Sequence, residues 1–112
     1  MIETKAKVFR FDDIDPRSSG EKVDVFPLVT AELSESFGMN FSVFRDCDID
    51  WKINYDEALH CLEGQIDIII DGKSHLLGPH DSIWLPAGTS LTYRAAAATV
   101  LAIFSPVEPD AT

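Results

Sequence analysis

The chain has 112 residues, 46% hydrophobic and 25% charged, an ordinary composition for one soluble domain spanning 1–112 whose core needs neither metal nor disulfide. Its 9 Lys+Arg against 19 Asp+Glu give a formal net charge of −10, which excludes nucleic acid and an anionic membrane surface as partners because both require a basic patch. No stretch reaches the length of a membrane span and the opening MIETKAKVFRF lacks the apolar run of a signal peptide, so a cytoplasmic protein is expected.

Along the chain, Asp12–Glu21 (DDIDPRSSGE) has loop composition. Val23–Leu33 and Met39–Phe44 are strand candidates. Asp46, Asp48, Asp50 and Glu57 fall at the first, third, fifth and twelfth positions of a calcium-loop pattern. The sixth position, which needs glycine, is Trp51, and the flanks are strand-like rather than helical, so the match is a chance one or a solvated acidic loop, at most a weak cation site. Cys47 and Cys61 have no metal or redox spacing. Cys47, among aspartates, is expected at the surface, and Cys61, in an apolar strand, in the core.

Further on, Ile66, Ile68 and Ile70 alternate with polar residues and are followed by Asp71-Gly72 and Lys73–Leu77. Two extended runs around Asp-Gly predict a hairpin with a type I′ turn, in which His75 pairs across with Ile68. Gly78-Pro79-His80-Asp81 is a turn, where histidine tolerates a positive φ. The strand Ser82–Leu85 follows and Pro86-Ala87-Gly88 ends it. Thr89–Arg94 and Thr99–Phe104 form a further pair of strands, with Ala95–Ala98 expected as a compact turn between them. Many short strands without helical periodicity predict an antiparallel sandwich or barrel.

Two stretches are more specific: Trp51–Gly64 (WKINYDEALHCLEG), with Glu57 six residues before Gly64, and His80–Leu91 (HDSIWLPAGTSL), centred on Pro86-Ala87-Gly88. With Asn54-Tyr55-Asp56, Asp71-Gly72, Asp81, Thr89-Ser90 and Phe104-Ser105-Pro106, they resemble a single-domain cupin, and more narrowly the cupin domain of the ethanolamine-utilisation Q-type proteins. The resemblance implies an all-β, mostly antiparallel double-stranded β-helix (a jelly-roll barrel), with the two motifs in 51–64 and 80–91. Residues 1–50 would supply N-terminal strands and a loop, and 106–112 a short frayed tail. It also implies a homodimer; Trp84 and Phe44 are candidates for its contact.

In metal-binding cupins two histidines, a glutamate and a further histidine hold a divalent ion. Carried over, those positions here are Trp51, Ile53, Glu57 and Leu91, and only Glu57 is a donor. No cofactor or metal is therefore expected. The remaining alternative, Glu57 with His60 or His75 as an unusual metal site, stays open, although in a regular strand His60 faces away from Glu57.

The period-2 alternation turns Trp51, Ile53, Tyr55 and Glu57 inward, and Leu91 and Tyr93 toward them from the opposite side. The expected pocket is apolar and aromatic around one carboxylate, with Trp51, Ile53, Leu91 and Tyr93 binding a small-molecule ligand and Glu57 and Tyr55 transferring a proton. The alternative for these residues is structural: a hydrogen-bonded Glu57 and core packing by Trp51 and Tyr93. Three functions follow in order. The first is a small-molecule-binding cupin, either a metal-independent enzyme or an accessory protein of small amine or carboxylate metabolism. The second is a non-catalytic dimeric binding or scaffold cupin, and the third a metal-dependent dioxygenase or isomerase. The resemblance adds acetate kinase activity, attributed to long family members, but no phosphate-cradling glycine loop is present and Arg45 and Arg94 are the only candidate phosphate contacts.

Overall fold

A computed structural model describes residues 5–18 and 22–105. Among them the chain forms eight strands: β1 (Arg17–Ser18), β2 (Val23–Val29), β3 (Gly38–Lys52), β4 (Asp56–Gly64), β5 (Ile66–Ile70), β6 (Lys73–Leu77), β7 (Ser82–Leu85) and β8 (Ser90–Ser105). Every pairing is antiparallel. The loop expected over Asp12–Glu21 contains a 3₁₀ turn (Phe11–Asp13) and β1, and its last residues, like the expected tail, lie outside the described part.

The hairpin β5–β6 turns on Asp71 (φ 50°) and Gly72 (φ 75°), the two positive-φ positions of a type I′ turn, with Ile68 opposite His75. The Asp67 carboxylate locks it by accepting from Ser74 Oγ at 2.6 Å and from the His75 amide at 3.0 Å. His80 has φ 74°, and its turn is fastened to β4 by His80 N–H donating to the Cys61 carbonyl at 2.8 Å.

The architecture is carried by the two long strands. β8 pairs with β3 from Lys52↔Ser90 to Gly38↔Phe104. Its other edge changes partner midway, meeting β5 at Thr92–Arg94 and β4 at Ala98–Ser105. Two sheets thus share β3 and β8 and fold over a common core, with β1, β2, β4 and β7 on one limb and β5 and β6 on the other. This is a jelly-roll barrel. Ile53, Cys61, Ile66, Ile68 and Val100 are fully buried between the limbs, and Leu85 and Phe104 nearly so.

Where the strands pass from one limb to the other, both reverse which parity faces inward. On β3, Asn40, Ser42 and Phe44 are buried, but beyond Asp46 (φ 43°) it is Cys47 that is buried. On β8, Leu91 and Ala95 point in, followed by Ala98, Val100, Ala102 and Phe104. The two reversals coincide, since Arg45 pairs with Ala97 and Cys47 with Ala95.

Four expectations are corrected by this. Ala95–Ala98 is not a turn but the middle of β8, because small side chains let the strand bend against its neighbours without leaving the ladder. Cys47 is buried, its thiol facing the Tyr93 carbonyl, because the reversal at Asp46 carries it inward. Phe44 is core, not surface, and packs on Tyr93 with ring centroids 5.2 Å apart. Finally, β2 stops at Val29 rather than Leu33 because Thr30 starts a turn, its carbonyl accepting from Leu33 and Ser34.

Candidate functional site

Between the limbs lies a cavity of about 200 Å³ lined by β2, β3, β4, β8 and the β3–β4 connection. Glu57 enters it from the start of β4. Its residue is only 5% exposed, and burial pushes the carboxyl up from 4.5 to about 7. Desolvation disfavours the charged form, so a carboxyl placed here exchanges its proton near neutrality. Tyr55, buried and packed at a tilt of 38° against Phe104 with centroids 4.8 Å apart, also lines the cavity. Tyr93 comes from β8; burial pushes its phenol well above the usual range, and the nearby Glu57 and Tyr55 charges add to that.

Trp51, at the end of β3, also lines the cavity, yet it is 53% exposed and borders an open groove with Asp50, Lys52, Asp71 and Leu91. It therefore forms part of the wall between the cavity and solvent rather than pointing wholly inward. Ile53 and Leu91, expected in the lining, do not reach this cavity. Ile53 is packed in the core and its backbone is clamped to the β7–β8 loop, donating to the Thr89 carbonyl at 2.9 Å and accepting from Gly88 at 2.7 Å. Leu91 is buried opposite Trp51.

Two polar residues of the lining were not anticipated. Asn40 and Ser42 are buried on β3, with the Ser42 hydroxyl donating to Asn40 Oδ1 at 3.3 Å. The available signal was the alternation itself, which puts residues 40, 42 and 44 on one face and so turns two polar side chains toward the core.

Among the described residues, no Lys, Arg or His lines the cavity. Arg45 is turned to Asp24 at 2.9 Å and Arg94 to Asp48 at 3.1 Å. The aspartates of the calcium-like spacing are likewise strand residues: Asp48 holds Arg94 and Asp50 accepts from the Thr92 hydroxyl at 2.7 Å.

The donor set does not fit the metal that many barrels of this kind carry. Beside Glu57, the corresponding positions hold an indole and two aliphatic side chains. His60 lies on the other face of β4 with Ser82 and faces the His80 ring at 6.1 Å, while His75 is engaged with the Ile68 carbonyl at 3.0 Å. Among the described residues no group of three or more His, Cys, Asp or Glu could hold a metal ion.

A family model described as "Ethanolamine utilisation protein EutQ" matches residues 1–107. The chain is 30% identical over 87 residues to a protein of Clostridioides difficile (strain 630) named "Acetate kinase EutQ", covering 78% of this chain and 55% of that protein. The chain thus spans about half the length of this curated relative. The solved structure of the Clostridium difficile EutQ protein superposes with a TM-score of 0.73 at 28% identity, covering 77% of this chain and 64% of that one. Ectoine synthase from P. lautus, at 19% identity, shares the fold with a TM-score of 0.82 over 92% of this chain and 80% of its own.

Proposed function

The chain belongs to the EutQ family of ethanolamine utilisation proteins, and from that premise we propose that it is a metal-independent cupin that binds a small metabolite and moves a proton on it. One observation carries the proposal: among the described residues a single buried carboxyl, raised to about 7, in a cavity whose other polar side chains are two phenols, an indole, an amide and a hydroxyl. Glu57 is the proton donor or acceptor, Tyr55 its hydroxylic neighbour, and Trp51 and Tyr93 shape the space around the ligand. A few converging polar groups in an apolar cavity are the ordinary make-up of a small-molecule site.

The kinase activity named for the longer relative is not assigned to this cavity. Phosphoryl transfer depends on cations at the phosphates, and the lining has no cationic side chain.

A metabolite thermal-shift screen tests the reading. It is expected to return ligands that raise the melting temperature of the native chain and lose that effect when Tyr55 and Tyr93 are both replaced by Phe. With a ligand in hand, Glu57→Gln is expected to abolish turnover. A screen without hits overturns the reading.

A second reading, a binding or scaffold cupin acting as a homodimer, is favoured by Trp84, 62% exposed on β7 at the end of the strand order. Large exposed aromatics are enriched in interfaces. Sedimentation velocity is expected to show a dimer that Trp84→Ser weakens. A monomer at all concentrations, or a dimer indifferent to the substitution, removes this support.

A further inference from the structure

We propose that the cavity's ligand is a small organic cation: an ammonium compound whose charged nitrogen sits against the Glu57 carboxylate and whose carbon atoms lie among the aromatic rings. The inference rests on the small-molecule reading above and narrows it to one charge class.

The sign of the site comes first. Among the described residues, Glu57 is the only one of the lining that carries a formal charge near neutrality, and the arginines nearest in sequence are turned outward to Asp24 and Asp48. An ionised carboxylate in a low-dielectric space is costly unless a counter-charge enters with it. A carboxylate or phosphate ligand would instead add a like charge. A neutral ligand would supply no counter-charge.

The walls favour the same class. Phe44, Trp51, Tyr55 and Tyr93 all border the cavity, and π-faces attract an ammonium most strongly where it is desolvated. On β3, the Ser42–Asn40 pair leaves an amide and a hydroxyl to serve one further polar group on the ligand. At ~30 Å³ per water the volume matches roughly seven water molecules, so the ligand has only a handful of heavy atoms.

The adjoining groove is also of the right sign. Trp51 is shared by the cavity and by the open groove, which Asp50 and Asp71 flank with Lys52. A net charge of −10 raises the local concentration of cations and lowers that of anions.

The test uses the full chain and three probes of matched size, n-propylammonium, 1-propanol and acetate, titrated calorimetrically at fixed ionic strength and pH 8. Propylammonium is expected to saturate one site while the other two give no heat. Its affinity should fall by about tenfold per pH unit below pH 7, because protonating Glu57 removes the counter-charge. The other titratable groups facing the site are the phenols of Tyr55, from the β3–β4 connection, and Tyr93, from β8, and burial moves the Tyr93 phenol further above this range.

Glu57→Gln is expected to weaken propylammonium by at least tenfold. Surface attraction to an acidic protein would survive that substitution, so retained binding overturns the inference. Binding of 1-propanol or acetate in place of propylammonium overturns the charge assignment while leaving a small-molecule site. If none of the three binds and the metabolite screen is also empty, both readings fall.

Discussion

Replacing Glu57 by Gln is expected to stabilise the protein at pH 8 by about 3 kcal/mol and to leave its stability at pH 4 unchanged. The carboxyl is raised from 4.5 to about 7 in the folded chain by burial alone. Between those values the folded state binds more protons than the unfolded state, so stability falls as pH rises through this window. Below 4.5 both states are protonated and the group contributes nothing; above 7 the full cost of burying the charge is present. The native chain should therefore lose stability between pH 4.5 and 7, at about 1.4 kcal/mol per unit, and the Gln variant should lack that slope. Denaturant midpoints at pH 4, 6 and 8 measure it directly. Equal pH profiles for the two proteins would mean that Glu57 is solvated by water in the cavity. Together with lost turnover, the expected result would identify Glu57 as a residue retained against its own effect on stability, a pattern of functional sites.

Gly64→Ala is expected to cost about 3 kcal/mol or more, and Gly72→Ala only about 1 kcal/mol. Both glycines have φ +75°, so both substitutions carry the left-handed strain of an L-residue. They differ in surroundings. A Cβ on Gly72 meets nothing within 4 Å, whereas on Gly64 it falls 2.1 Å from the Ala97 carbonyl oxygen. That atom is backbone, in the part of β8 where the strand crosses between limbs, and it also accepts the Gln65 amide. Relief would require moving β8 relative to β4. Urea unfolding of the two variants, with slopes matched to the native chain, separates shared strain from clash. Similar losses for both would show that β8 yields easily at Ala97.

The same crossing marks the limit of what could be read from residues alone. The β5–β6 hairpin was legible because Asp71-Gly72 has essentially one use between alternating apolar runs, and β7 because Pro86 ends it. The positions of Glu57 and Tyr55 followed from alternation over a short segment. What alternation could not convey is its own reversal. With Asp46 in the left-handed region, the inward parity of β3 changes, and Cys47 passes from an expected surface site to the core. Four consecutive alanines carry no parity at all, so β8 looked like two strands and a turn. Ile53 and Leu91 illustrate a related gap. Period-2 reasoning identifies residues that face inward, but whether an inward side chain meets a cavity or a packed core depends on how the limbs close, and both residues are packed.

The long strand β8 has a consequence for how the barrel is reached. It contributes a partner to β3, to β4 and to β5, and Ser105 closes back on the Ser36 carbonyl at 3.0 Å across 69 positions of sequence. Of the earlier elements, only β1–β2–β3, β4–β7 and β5–β6 pair without it. These pieces have no shared ladder until the last strand arrives, so the cavity holding Glu57 closes only once β8 has joined β3 and β4. Loop-closure entropy must be met before the non-local pairings are gained, which places folding in the slow, millisecond-to-second regime of β-rich topologies. The same strand that walls the cavity thus also joins the barrel's otherwise separate pieces.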